Sequence, residues 1–352
     1  MSPPLRVATV VVTWNGRDRL GSCVRSLVDQ KVPDGWEHQV VVVDNGSVDG
    51  SADWVRTAFP TVTVLRREHN GGYGAGANTG VRGVDADVVA VVNDDARYEP
   101  TFTAALVAPL LADASVGATT ATVVLEGAFV RAPDGDFVGH DGTRWRRDAS
   151  GRDDAVTLLN STGNLVSVSG NGRDRGWLAP PGTDYDADVF GFHGGACALR
   201  RAALDDVGLF DETLFMYYED TDLSWRLRRH GWSVRWARDA VSHHAHAASS
   251  GTGSRRFVRW NTRNRVVVAL RNAPASTLPG TLSRALGSVA STAVRAARTP
   301  GDAAAREELL GRLGGVADVV VRFPSALRAR RSLDRRARVP SSRLRGHLVP
   351  DS

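Results

Sequence analysis

Four short valine-rich runs, each ending in a polar or glycine-rich loop, constrain this chain more than any other feature. Val7 to Thr13, Val40 to Val43, Thr61 to Leu65 and Val88 to Val92 read as strands. Between them, Arg17 to Val28, Ser51 to Phe59 and Tyr73 to Val84 have helical spacing, with Leu20, Val24, Leu27 and Val28 on one face of the first. A βαβαβαβ series predicts an α/β fold with a mainly parallel sheet covered by helices on both faces. Ligands of such sheets bind at the carboxyl ends of the strands.

The strand ends carry Thr13-Trp14-Asn15-Gly16, Asp44-Asn45-Gly46-Ser47, Asn70 to Asn78 with four glycines, and Asn93-Asp94-Asp95. Asn-Gly pairs are common turn formers, but four such loops on one edge describe a cleft, and glycines let backbone amides approach a phosphate. A nucleotide is the expected occupant. The adjacent acids Asp94 and Asp95 repel each other, which a divalent cation or a cationic ligand would relieve; a helix N-cap before the segment opened by Pro100 is the alternative. A dinucleotide fingerprint fits less well. After Gly74-Ala75-Gly76 the next glycine is Gly80, one residue too late, and the loop follows the third strand rather than the first.

At 352 residues, 42% hydrophobic and 24% charged, the chain suits one large domain with an appendage. Cys23 and Cys197 are too few for a disulfide scaffold or a four-ligand zinc site, in keeping with a reducing cytoplasm. Met1 to Leu5 lacks signal-peptide regions and no stretch approaches the ~20 apolar residues of a membrane span. From Gly251 onward there are twenty arginines, no lysine and six acids, a net charge of about +14 that leaves the preceding part near −9. These contrasts divide the chain into an expected catalytic unit, 1–250, and a basic amphipathic helical extension, 251–352. Proline at 274, 279 and 300 interrupts the latter. A cationic tail suits an anionic membrane surface or a diphosphate-bearing lipid. Nucleic acid is not expected, because stacking aromatics are sparse there.

The middle, from about Leu125 to Val189, reads as long loops or short strands over the cleft, where Trp145, Trp177 and Tyr185 would stack on a sugar or anchor loops. Beyond it, His193-Gly194-Gly195-Ala196 leads into an apolar strand, and Glu219-Asp220-Thr221-Asp222 starts a helix through Leu227. Carboxylates at a helix start are favoured electrostatically, and the same position presents a general base to a cleft. After a strand at Ser233 to Ala237 comes His243-His244-Ala245-His246. Alternation would place His244 and His246 on one face and His243 on the other. One neutral imidazole completing a site with Asp95 is favoured over a zinc site of these histidines alone, since adjacent residues cannot converge on one ion.

Taken in order, Val12-Thr13-Trp14-Asn15, Val43-Asp44-Asn45-Gly46-Ser47, Asn70 to Asn78, Asn93-Asp94-Asp95, Gly194-Gly195-Ala196 and Glu219-Asp220-Thr221-Asp222-Leu223-Ser224-Trp225-Arg226-Leu227 resemble the inverting glycosyltransferases of family 2, bacterial rhamnosyltransferase-like branch. The resemblance covers roughly Val7 to Asn264. It implies the GT-A fold, a Rossmann-like mixed sheet, here followed by a helical extension. It also implies that Thr13, Asn15, Asp44 and Ser47 hold the nucleoside, that Asn70, Gly74 and Asn78 line the donor with Asp94 as a helper, and that Asp95 and His244 ligate Mg2+ or Mn2+. By the same resemblance Asp220 is the catalytic base, and Gly194, Gly195 and Glu219 lie on the acceptor side. The family's Asp-x-Asp begins here with Asn93, a variant common in this branch, and His244 rather than His243 is taken as the family histidine. The implied partners are a nucleoside-diphosphate sugar, with dTDP-rhamnose favoured, and a glycan or lipid-linked acceptor. The implied location is the cytoplasm, peripheral on the inner face of the membrane. A nucleotide-sugar-binding protein without transferase activity would share the cleft but not need Asp220.

Overall fold

The computed structural model describes residues 3–246 and 254–351. The boundary expected at 250/251 lies outside the described residues, as do Met1 and Ser2. The valine-rich runs form β1 (Leu5–Thr13), β2 (Trp36–Asp44), β3 (Thr63–Arg66) and β4 (Val88–Asn93), all parallel in the order β3-β2-β1-β4. Helices α1 (Arg17–Val28), α2 (Ser51–Ala58) and α3 (Tyr73–Arg82) connect them. β1 and β4 are almost wholly buried along their length, as expected for strands covered on both faces.

After β5 (Ala96–Tyr98), α4 (Phe102–Ala112) and the fully buried β6 (Val116–Leu125), the chain makes an excursion. It contains one small sheet of β7 (Ala128–Arg131), β8 (Phe137–Val138) and β9 (Arg144–Asp148), then β10 (Leu159–Ser161) against β6, and a hairpin of β11 (Asn164–Val166) and β12 (Gly172–Asp174). The chain then returns as β13 (Ala196–Arg200), antiparallel between β4 and β6, followed by α5 (Arg201–Val207), α6 (Glu219–Arg229) and β14 (Ser233–His244). The main sheet is therefore mixed, with nine strands in the order β3-β2-β1-β4-β13-β6-β14-β5 and β10 alongside β6. One apolar layer lies beneath α1, α2 and α4, and the other beneath α3, α5 and α6.

Two local features decide where side chains end up. β14 runs past the expected end at Ala237. A register shift between Ala237 and Val241 lets three residues step off the ladder before pairing with β6 resumes, and this carries the histidine run to the tip of β4. Gly195 permits the close approach of β13 to that tip, because a Cβ there would lie 2.5 Å from the Asn93 side chain.

The basic segment folds as α7 (Arg255–Asn272), α8 (Leu278–Arg298) and α9 (Ala303–Arg336). The composition boundary is not a packing boundary. α7 shares an apolar cluster with Val166, Phe190, Leu214, Tyr218 and Trp225 of the sheet domain. Its polar residues also reach inward: Asn272 donates to Asp222, and Arg271 pairs with Asp211. No helix among the described residues is long and apolar enough to cross a membrane.

Candidate active site

The tips of β1, β4, β13 and β14 meet at one elongated cavity with two lobes, both lined by Tyr73, Asn93 and Asp95. The first lobe, of about 540 Å3, is bounded by Thr13, Trp14, Asn45, Asn70 and Asp94 from the sheet and by Arg256, Phe257 and Trp260 from α7. The second, of about 440 Å3, holds His193, Gly194, Gly195, Glu219, Asp220, His244 and His246.

Asp94 and Asp95, adjacent in sequence, diverge in environment. Asp94 is 7% exposed, accepts from the Thr13 hydroxyl at 2.6 Å and pairs with Arg19 at 3.0 Å. Burial raises its pKa against the pull of those two partners. Asp95, whose side chain is no more exposed than that of Asp94, lines both lobes, whereas Asp94 lines only the first. Asp94 thus fixes the loop while Asp95 faces whatever enters.

His244 Nε2 lies 3.0 Å from Asp95 Oδ1, and its Nδ1 lies 2.7 Å from the Oδ1 of buried Asn160. An amide oxygen only accepts, so Nδ1 carries the proton donated to it. With that proton on Nδ1, an unprotonated Nε2 would turn its lone pair on a carboxylate, which is favourable only with a proton or a cation between them. Adjacent corners of an octahedral Mg2+ or Mn2+ shell with ~2.1 Å bonds are separated by about this distance. Two protein donors leave the remaining positions to phosphate oxygens and water, in keeping with the habit of Mg2+ at phosphates. No cluster of three or more metal-ligating side chains occurs among the described residues. The pair fits a cation shared with a diphosphate, not a closed protein cage.

His243 and His246 part from His244. His243 pairs with Glu99 at 2.8 Å on the opposite face, as alternation predicts. His246 lies beyond the strand in a left-handed conformation (φ 54°), with its ring 5.7 Å from that of His244. Burial, then the neighbouring His244, pushes its pKa down to about 4.

Asp220 stands half-buried in the first turn of α6. Its Oδ1 accepts from the Thr221 N–H at 2.6 Å and from the Thr221 hydroxyl at 3.2 Å, and its Oδ2 from the Gly194 N–H at 3.1 Å, which leaves one lone pair, on Oδ2. Burial raises its pKa, partly offset by His193. Glu219 beside it is buried, and its Oε2 has no hydrogen-bond partner. Burial and then the charge of Asp220 push its carboxyl well up, so it is the neutral member of the pair. Tyr73 donates its hydroxyl to the Gly194 carbonyl at 2.8 Å and so ties the first helix turn of α3 to the same loop.

The remaining sequence-predicted residues divide. Thr13, Asn70 and Asp94 line the first lobe. Asn15, Asp44 and Ser47 form a knit rim: the Asn15 N–H donates to Ser47 Oγ, the Ser47 N–H to Asp44 Oδ1, and the Val48 N–H to Asn15 Oδ1. Asn78 and Gly74 line neither lobe. Asn78 is 1% exposed, with its amide engaged by Phe210 and Glu212, and Gly74 packs against Phe210, so these two position the 210–212 loop rather than face the cavity. Sequence reading missed Arg19, Asn160, His193 and the α7 aromatics. The available signal was polar residues at buried helix positions, such as Arg263 and Asn264.

That pair restrains the loop before Asp220. Phe215, Tyr217 and Tyr218 all have φ between 66° and 69°, which costs on the order of 1–3 kcal/mol per non-glycine residue. Asn264 Nδ2 donates to the carbonyls of Leu214, Met216 and Tyr217 at 2.8–3.0 Å, and Arg263 donates to Leu214. Strain and its restraint both lie next to Asp220.

Comparison with known proteins follows the same outline. The model described as glycosyl transferase family 2 matches residues 9–164, and glycosyl transferase family group 2 matches residues 181–287. N-acetylglucosaminyl-diphospho-decaprenol L-rhamnosyltransferase of Mycobacterium tuberculosis is 31% identical over 231 residues, 60% of this chain and 68% of the relative. Among solved structures, GalNAc-T7 with UDP, GalNAc and Mn2+ superposes with a TM-score of 0.57 at 16% identity, over 92% of this chain and 58% of that one. The mannosyltransferase PcManGT of Pyrobaculum calidifontis, in complex with GDP-Man and Mn2+, gives 0.51 at 18%, over 91% and 88%. At these identities the two structures establish a shared fold, the GT-A fold.

Proposed function

The chain belongs to glycosyltransferase family 2, and we propose that it transfers a sugar from a nucleoside diphosphate to a hydroxyl of a glycan or polyprenyl-diphosphate-linked acceptor, inverting the anomeric carbon. The observation that carries this reading is the single cavity in which the Asp95–His244 pair sits between an aromatic-walled lobe and the half-buried carboxylate of Asp220. dTDP-rhamnose is the favoured donor, with a UDP-sugar as the alternative. The named rhamnosyltransferase relative, which acts on a decaprenyl-diphosphate-linked sugar, supports both the donor and the lipid-linked acceptor.

In this reading the nucleoside occupies the first lobe, against Trp14 and the α7 aromatics. Asp95 and His244 would hold Mg2+ or Mn2+, which when bound neutralises charge on the departing diphosphate. Asn160 keeps His244 in the tautomer that leaves Nε2 free for this. Asp220 takes the proton of the acceptor hydroxyl. The acceptor oxygen forms its bond to the anomeric carbon from the face opposite the diphosphate, whose C–O bond breaks with the electron pair leaving on oxygen. The Gly194 and Thr221 amides hold the carboxylate in place, and neutral Glu219 avoids a second negative charge beside it.

α8 and α9 support peripheral attachment to an anionic membrane, where such an acceptor resides. Leu282, Leu286 and Val294 on α8, and Leu310, Leu313, Val320, Val321 and Phe323 on α9, are exposed on helices rich in arginine.

The test is nucleoside-diphosphate release from a panel of UDP-, dTDP- and GDP-sugars with Mg2+, Mn2+ or EDTA. Metal-dependent release from one donor, lost in Asp95→Ala, is expected. Asp220→Asn should lower transfer by ~10²- to 10⁴-fold while sparing donor binding. Failure of every donor to bind with metal present would overturn the transferase reading, and near-normal transfer by Asp220→Asn would remove that residue from the role of base.

A further inference from the structure

The excursion between β6 and β13 contains a second concavity, separate from the two lobes, of about 690 Å3. Its floor is Leu158 and Leu178, members of a small apolar cluster with Leu125 and Phe129. That cluster is sealed. The two tryptophans packed on it, Trp145 and Trp177, are not, and both remain partly exposed where they line the cavity. Aromatics serving only to close a small core would be expected to fill this space.

Of the polar side chains that line it, Asp141 and Thr143 bond each other, Asp154 pairs with Arg152 and the Trp177 N–H donates to the Val138 carbonyl, which leaves Arg131 and His140 facing the cavity. The Arg131 guanidinium lies over the Trp145 ring, 5.3 Å from its centroid. Among the described residues it makes no hydrogen bond, and neither does the His140 imidazole, which also lines the cavity. Flat apolar faces next to a few unengaged donors are what a pyranose ring requires, since its C–H face lies on an aromatic while its hydroxyls meet directional polar groups.

The cavity adjoins the catalytic lobe through one aromatic layer. The Trp177 ring lies 5.3 Å from that of His246, and Phe137 lies 5.9 Å from the same imidazole, which lines the catalytic lobe on its other side. The backbone at this junction is unusual: Leu178, between Trp177 and the wall of the cavity, holds a left-handed conformation with φ 60° although it is not glycine. The Trp177 indole N–H donates to the Val138 carbonyl at 2.9 Å, which holds the direction of the ring.

We propose that this cavity is a saccharide subsite, in which Trp145 and Trp177 hold a pyranose unit of the acceptor glycan next to the unit that reacts. The assignment of the saccharide to the acceptor rests on the transferase reading; the capacity to bind a pyranose does not. The subsite gives the enzyme a means of recognising an acceptor by more than its terminal sugar.

The full chain labelled with 5-fluorotryptophan has nine indoles, and single Trp→Phe variants assign those of residues 14, 145, 177 and 260 in its 19F NMR spectrum. The probes are methyl glycosides and disaccharides of rhamnose, N-acetylglucosamine, galactose, glucose and mannose, titrated in parallel with UDP, dTDP and GDP. At least one saccharide should shift the signals of Trp145 and Trp177 saturably without moving those of Trp14 and Trp260, which should respond to a nucleotide. Trp145→Ala should weaken that saccharide by roughly tenfold, and Arg131→Ala by several-fold at an unchanged thermal midpoint. If no saccharide in the panel moves the Trp145 and Trp177 signals, or if both variants bind as tightly as wild type, the subsite is refuted. Nucleotide binding without saccharide binding would remove the subsite alone. Saccharide binding without any nucleotide response would leave the subsite standing and remove the transferase reading.

Discussion

Replacing Asn264 by alanine tests whether α7 is part of the catalytic unit. The side chain is fully buried, and its two amide protons are shared among three carbonyls of the 214–217 loop. Its oxygen accepts from Arg263 Nε at 2.7 Å. At about 1 kcal/mol net per hydrogen bond, and somewhat more for the charged partner, the substitution should cost about 3 kcal/mol. The loss does not end there, because the restraint on Phe215, Tyr217 and Tyr218 is removed with it. With the positive-φ residues free to relax, the start of α6 shifts, and a displacement on the order of 1 Å of Asp220, the proposed base, corresponds to a fall of ~10²-fold in rate. Urea unfolding would measure the first effect as a lower midpoint at unchanged slope, and single-turnover transfer would measure the second. A variant destabilised by that amount but transferring at the wild-type rate would show that Asn264 supports the fold without positioning the base. A variant unchanged in both would refute the restraint itself.

Three further expectations follow from other parts of the site. Asn160→Ala frees the His244 ring to change tautomer and should weaken Mn2+ binding in the presence of nucleotide by ~10- to 100-fold, read by electron paramagnetic resonance; unaltered affinity would mean that the tautomer is fixed elsewhere. Glu219→Gln should flatten the dependence of stability on pH. In the wild type the folded-state pKa is raised, so the unfolded chain releases its proton first, and stability falls as pH rises from the ordinary glutamate value, about 4.3, to the folded-state value. Glutamine keeps the neutral shape throughout, and equal slopes for both proteins across that window would exclude a buried neutral Glu219. The double substitution Val320→Asp and Val321→Asp, at sites 70% and 80% exposed, should reduce partition onto phosphatidylglycerol vesicles by ~10-fold or more without loss of donor binding, and undiminished partition would rule out this face of α9 as the attachment surface. Removing the entire basic segment would not be an equivalent test, since α7 would leave with it and take part of the active site away.

Much of the catalytic cleft could be read from the chain because its parts are local. Each valine-rich run is long enough to be a strand and has apolar residues on both faces, and the residue after the last buried valine must lie at a sheet edge, whatever the rest of the fold does. Asp44, Asn70 and Asp95 follow from that rule, Glu219-Asp220 from the start of a helix, and the split of His243 from His244 from the alternation of a strand. Asn78 and Gly74 show its limit. Both belong to a motif that begins in the cleft, but a helix turns through 3.6 residues per turn, and within the first two turns of α3 their positions already face the 210–212 loop.

What only the tertiary structure decided was pairing across long separations. No local pattern couples Asn160 to His244, Arg19 to Asp94, or Asn264 to the carbonyls at 214–217, because a buried amide or guanidinium takes whichever partner packing brings within 3 Å. Composition separated the basic segment from the body cleanly, and packing then rejoined them. Net charge is a sum over side chains wherever they lie, whereas the boundary of a folding unit is set by where apolar and hydrogen-bonding groups are buried together, and α7 buries Arg263 and Asn264 along with Val266 to Leu270.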